Sequence, residues 1–99
     1  MRAALLACAM AMSAMPAAAQ GVLFDGREEY RVTLNGNGAV LRSRHLTIYL
    51  GRACDARSPQ LGRGRWEWAN GGILVRFRNR AIGFARQEIA ADADGRCRS

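Results

Sequence analysis

The chain has 99 residues, with 15 arginines, no lysine, eight acidic side chains and one histidine, for a formal net charge of +7. This length accommodates one small domain whose apolar core is only just sufficient, so a covalent staple is expected. The basic balance points to anionic partners, and a lone histidine offers little for acid–base or metal chemistry.

The chain opens with a targeting segment. Met1-Arg2 is a short positive start, Ala3 to Met15 is almost wholly apolar, and Pro16-Ala17-Ala18-Ala19 ends in small residues. This predicts a signal peptide over residues 1–19, cut after Ala19 to leave Gln20 first. The apolar run is shorter than the roughly 20 residues a membrane-spanning helix needs. Leu5-Leu6-Ala7-Cys8 is similar to a bacterial lipobox, but few residues precede Cys8 and the apolar run continues past it. Cleavage leaves a domain of 80 residues (99 − 19), residues 20–99, with 14 arginines against eight acids, a net of +6. The expected location is periplasmic or secreted, and export argues against nucleic acid as the partner.

After the leader, Gly21-Val22-Leu23-Phe24 reads as a short edge strand and Asp25-Gly26 as a turn. Tyr30, Val32 and Leu34 alternate with Arg31 and Thr33, the mark of a half-buried strand. Asn35-Gly36-Asn37-Gly38 is a hairpin turn, and Ala39-Val40-Leu41 returns from it. Leu46, Ile48 and Leu50 alternate with Thr47 and Tyr49. From Gly51 to Gly64 the periodicity stops, and this stretch reads as one long irregular loop carrying Cys54, whose Arg52 to Arg63 part, pinned by a bridge, is a second candidate contact surface.

Gly64 to Arg86 is the aromatic centre, holding both tryptophans and two of the three phenylalanines. It predicts three strands and two tight turns. With a two-residue turn at Gly71-Gly72, Trp68 faces Val75, Trp66 faces Phe77 and Glu67 lies opposite Arg76. With Asn70-Gly71 instead, the apolar residues still share one face, because only an odd slip exchanges the faces. A second turn at Asn79-Arg80 would set Phe77 against Ile82. One face then carries Trp66, Trp68, Ile73, Val75, Phe77, Ile82 and Phe84, and the other Arg65, Glu67, Arg76 and Arg78. Gln87-Glu88-Ile89 extends the last strand, and Ala90 to Ser99 is a polar tail tied down by Cys97.

Once the leader is gone, Cys54 and Cys97 are the remaining cysteines, an even number in an oxidising compartment, and a disulfide between them is expected. Closing a loop of that size contributes about 4 kcal/mol in the chain-entropy account. Two cysteines and one histidine have no metal-ligand spacing, and no cofactor is expected. The predicted architecture is a single all-β domain, an antiparallel hairpin meander of six or seven short strands. It closes into a small barrel or, alternatively, folds as a two-sheet sandwich.

No constellation of catalytic groups is legible. His45 has no nucleophile signature around it, Asp55, Glu67 and Glu88 are scattered, and Gly62-Arg63-Gly64 does not lead into a helix. A non-enzymatic binding role is the expectation. The candidate binding residues are Arg65, Arg76 and Arg78, whose guanidiniums can grip carboxylates or phosphates, and Trp66, which with Trp68 could form an aromatic platform but shares a face with Val75 and Phe77 and so reads mainly as core. The expected partner is an acidic protein or an anionic envelope polymer. The alternatives are a structural or accessory envelope protein and a small hydrolase.

In size, export and composition the chain resembles small disulfide-bonded periplasmic β-barrels that inhibit lysozyme. The Ser-Gly pair before an aromatic and the Trp followed by Lys-Gly of that group are not matched, and Trp68-Ala69-Asn70-Gly71 is the nearest passage. The resemblance is one of shape and implies an inhibitor-like role at most.

Overall fold

Alternating apolar side chains at small-residue turns build a single antiparallel meander of eight strands. The structure, a computed structural model, describes residues 21–87 and Cys97. The strands are β1 (Gly21–Phe24), β2 (Glu29–Asn35), β3 (Gly38–Arg42), β4 (Thr47–Gly51), β5 (Asp55–Ser58), β6 (Gly62–Ala69), β7 (Gly72–Phe77) and β8 (Arg80–Phe84). Each pairs with its neighbour in the chain, in the order β1 to β8. The predicted leader and the tail other than Cys97 lie outside the described residues, as do Glu88 and Ile89. β8 ends at Phe84, before the predicted extension.

The inward positions line up in rows across the sheet. Val32, Leu41 and Ile48 form one row, Trp66, Val75 and Ile82 a second, and Trp68, Ile73 and Phe84 a third. All of these except the half-buried Trp68 are buried in a common core. Burying an aliphatic or aromatic side chain fully contributes about 1.5–3 kcal/mol. The sheet curls until Tyr30 on β2 meets Phe84 on β8, with ring centroids 5.2 Å apart and edge to face. The result is a nearly closed barrel-like sheet.

Strand number and register depart from the sequence reading. There are eight strands because the stretch read as one irregular loop contains β5 and the start of β6. The inward residues of β5 are Ala56 and Ser58, too small and polar to write an apolar alternation. The first turn is Asn70-Gly71, with φ of 56° and 72°, the conformation of a type I′ hairpin. Trp68 therefore faces Ile73 and Trp66 faces Val75, while Glu67 lies opposite Leu74. The second turn is Arg78-Asn79, so Val75 rather than Phe77 faces Ile82. Both slips are even, and every side chain keeps its predicted face.

Two seams in the sheet are weak, and a glutamine spans each. Between β4 and β5 the register covers Tyr49 with Arg57 and Leu50 with Ala56. Beyond it, the Gln60 amide oxygen accepts from Thr47 N (3.1 Å) and from Ser58 Oγ (3.1 Å). Between the outer strands, Phe24 N donates to Gln87 Oε1 (2.7 Å) and Gln87 Nε2 donates to Phe24 O (2.8 Å). The side-chain amide thus occupies the place of a peptide group on a neighbouring strand.

The Cys54–Cys97 disulfide is present, with Cα atoms 5.3 Å apart. It lies where β6 runs past the start of β5. There Trp66 N donates to Cys54 O (3.0 Å) and Trp68 N to Cys97 O (2.8 Å). The bridge therefore fixes two carbonyls that continue the ladder of β6.

Candidate functional site: an outward arginine lattice

Because Gly64, Trp66 and Trp68 of β6 turn inward, Arg63, Arg65 and Glu67 turn outward. The antiparallel register then sets like against like. Arg57 on β5 is directly opposite Arg63, and Arg65 is directly opposite Arg76 on β7. On the far side of the sheet Arg31 is directly opposite Arg42. Residues so placed have Cα atoms about 5 Å apart, and same-sign pairs there are destabilising. Gly64, between Arg63 and Arg65, has no room for a side chain: a Cβ at this position would run into the Arg76 carbonyl oxygen.

Among the described residues little neutralises this charge. Among the described residues, ion pairs form between Arg76 and Glu67 (3.4 Å) and between His45 and Glu28 (3.3 Å). Both are solvent-exposed, a setting in which a pair contributes about 0–1 kcal/mol. Asp55 is opposite Arg65, but its carboxylate packs over Gly51. Beside the lattice, Asn37, Tyr49, Arg52, Asp55 and Arg57 line an open groove of about 590 Å³.

Of the candidate residues read from sequence, Arg65 and Arg76 are brought face to face. Arg78 lies in the β7–β8 turn, just past Phe77, whose partner Gly64 adjoins Arg63. Trp66 is not on this face. It is 2 % exposed inside the barrel, where its indole N–H donates to Gly51 O (2.8 Å) and its ring meets Trp68 edge to face. Arg57 and Arg63 join the site; from sequence they stood only within the Arg52 to Arg63 loop, a second and separate candidate surface. Arg63 was legible from its i, i+2 spacing to Arg65, whereas Arg57 sits on the unrecognised β5.

The other polar groups are dispersed. His45 is exposed in the β3–β4 turn with its Nδ1 on Glu28, while Asp55 and Glu67 lie on the outside of β5 and β6. Among the described residues, no group of three His, Cys, Asp or Glu side chains gathers as a metal ion would require. No helix among them is long and apolar enough to cross a membrane.

Among the described residues, two titrating groups are perturbed, and they form one structural unit. Burial pushes the Tyr30 hydroxyl up, and its hydrogen bond to Asp25 and the charge of that carboxylate push it further. Burial also works to raise Asp25, but its hydrogen bonds from Glu28 N, Arg27 N and Tyr30 Oη outweigh this and hold it below the ordinary carboxylate value.

What the fold and site define is a nearly closed, barrel-like antiparallel sheet with a core of aliphatic and aromatic side chains and an arginine-studded exterior. No protein-family model matches the chain, nor does any curated protein or solved structure.

Proposed function

We propose that the protein is an exported, non-catalytic binding domain whose outward arginine lattice takes an anionic envelope polymer or an acidic protein. The observation that carries this reading is the direct opposition of Arg57 to Arg63 and of Arg65 to Arg76, with a single described carboxylate, Glu67, in ion-pair range. Like charges so placed cost stability, and an anionic ligand converts that cost into binding. The regular spacing, about 7 Å along β6 and about 5 Å across strands, favours a polymer with repeated anionic groups. Oxidising conditions outside the cytoplasm suit the Cys54–Cys97 bridge, and the apolar N-terminal segment supports export.

Calorimetric titration with a polyanionic glycan at low salt tests this. The expected result is binding that weakens steeply as salt rises and falls at least tenfold in the R65Q/R76Q double variant. Equal affinity in the variant, or no binding at low salt, would remove the lattice as a binding surface.

A further inference from the structure

A second surface, separate from the β5–β7 lattice, combines charge with exposed hydrocarbon. β1 ends in Val22 and Phe24, 56 % and 50 % exposed, two of the three large hydrophobic side chains that stand in solvent among the described residues. Both point outward because Leu23 between them enters the core. Across the strands, Val22 is opposite Arg31 and Arg31 is opposite Arg42, so one row runs from hydrocarbon to two guanidiniums. Phe24 is opposite Glu29. Arg27 and Arg44 join from the β1–β2 and β3–β4 turns, and these residues, with Glu28, Ser43 and His45, line an open groove of about 800 Å³. Four arginines against two glutamates leave +2 (4 − 2), before any charge on His45. Glu28 is turned toward His45, and neither Arg31 nor Arg42 has a described carboxylate within ion-pair distance.

We infer that this face is a peripheral membrane-docking surface that seats on anionic phospholipid, with Val22 and Phe24 entering the interface and Arg27, Arg31, Arg42 and Arg44 on lipid phosphates. The chemistry selects this occupant. An acidic peptide or a free phosphate would engage the arginines and leave Val22 and Phe24 in water. A purely apolar partner would bury the aliphatic and aromatic groups and strand the guanidiniums. A bilayer surface offers hydrocarbon and phosphate side by side, and stable attachment there takes both signals. The arginine stems can lie along apolar surface while their heads reach phosphate. Gln87 matters here too: by bonding both the N–H and the C=O of Phe24 it holds the anchor's backbone in place before docking, which lowers the ordering cost.

Co-sedimentation of the disulfide-bonded chain with vesicles of phosphatidylglycerol and phosphatidylcholine, against pure phosphatidylcholine, tests the inference. Every variant carries the same residues before Gly21, so differences between variants report on the patch. Expected are preferential binding to the anionic vesicles, a drop of at least tenfold in partitioning for V22S/F24S, and a drop of similar size for R31Q/R42Q. R65Q/R76Q should lose far less partitioning than R31Q/R42Q, which separates this surface from the lattice. Circular dichroism should show both patch variants folded, since all four side chains are exposed. Undiminished partitioning of V22S/F24S would overturn the inference, as would displacement from vesicles by millimolar glycerol phosphate, which marks a soluble-phosphate site. Stronger loss in R65Q/R76Q than in R31Q/R42Q would assign the binding to the lattice instead.

Discussion

Asp25 and Tyr30 couple a turn to the core. Asp25 Oδ1 accepts from Arg27 N and Glu28 N and so shapes the β1–β2 turn, while Oδ2 accepts from the hydroxyl of fully buried Tyr30. The two shifts have opposite consequences for stability. Asp25 is held low in the fold, so its contribution is present above the unfolded value of about 4 and is lost as pH falls through the folded one. Tyr30 is held high, so its contribution is present below the unfolded value of about 10 and is lost as pH rises toward the folded one. Melting temperature should therefore be level between about pH 5 and pH 9 and fall on either side. In Y30F the alkaline limb should flatten; if it keeps its full depth, another group drives alkaline unfolding. The candidate site was partly legible at this scale. Arg65 and Arg76 stand on one strand face by simple alternation. Trp66 cannot share that face, because it lies one residue from Arg65 and its side chain is on the other side of the pleat.

At the scale of strands, the sequence revealed those whose inward positions are large. Tyr30, Val32 and Leu34, or Leu46, Ile48 and Leu50, announce themselves through alternation. β5 does not, because its inward pair is Ala56 and Ser58 and its outward pair is Asp55 and Arg57. With β5 unseen, the Arg57–Arg63 opposition was invisible as well. The glutamine clasps were equally hidden, since nothing local marks Gln87 as the partner of a residue 63 positions away. These clasps should matter more than their exposure suggests. Q87A removes both bonds to the Phe24 backbone, at a cost of about 1–2 kcal/mol. Amide exchange at Phe24 should accelerate severalfold in Q87A while that of Val75, in the middle of the sheet, follows global stability alone. Unchanged exchange at Phe24 would show that the clasp does not hold the seam.

For the whole molecule, charge and cross-link act in opposite directions. The basic exterior repels itself, and the disulfide limits the freedom of the unfolded chain. Replacing both cysteines, C54A/C97A, should cost about 4 kcal/mol from the chain-entropy term. The same variant releases Cys97 O from its fixed place opposite Trp68 N. For a domain of this size the loss corresponds to roughly 15–30 °C in melting temperature. A calorimetric scan of the double variant checks this, and a change of only a few degrees would mean the reduced chain keeps its closure by packing alone. All-β class and cross-link could be read in advance. Curling of the sheet toward a barrel was expected too, because closure removes exposed edges, but the contact that spans it, Tyr30 against Phe84, is one no local pattern encodes.

The strict neighbour-to-neighbour order of the sheet also governs timing. Backbone pairing links each strand only to its neighbours in the chain, so the pairings can form in the order in which the strands emerge. The covalent tie joins position 54 to position 97 and cannot form until the last strand is out. The bridge is therefore a seal that only the finished chain can receive, since one of its two sulfurs arrives after every strand.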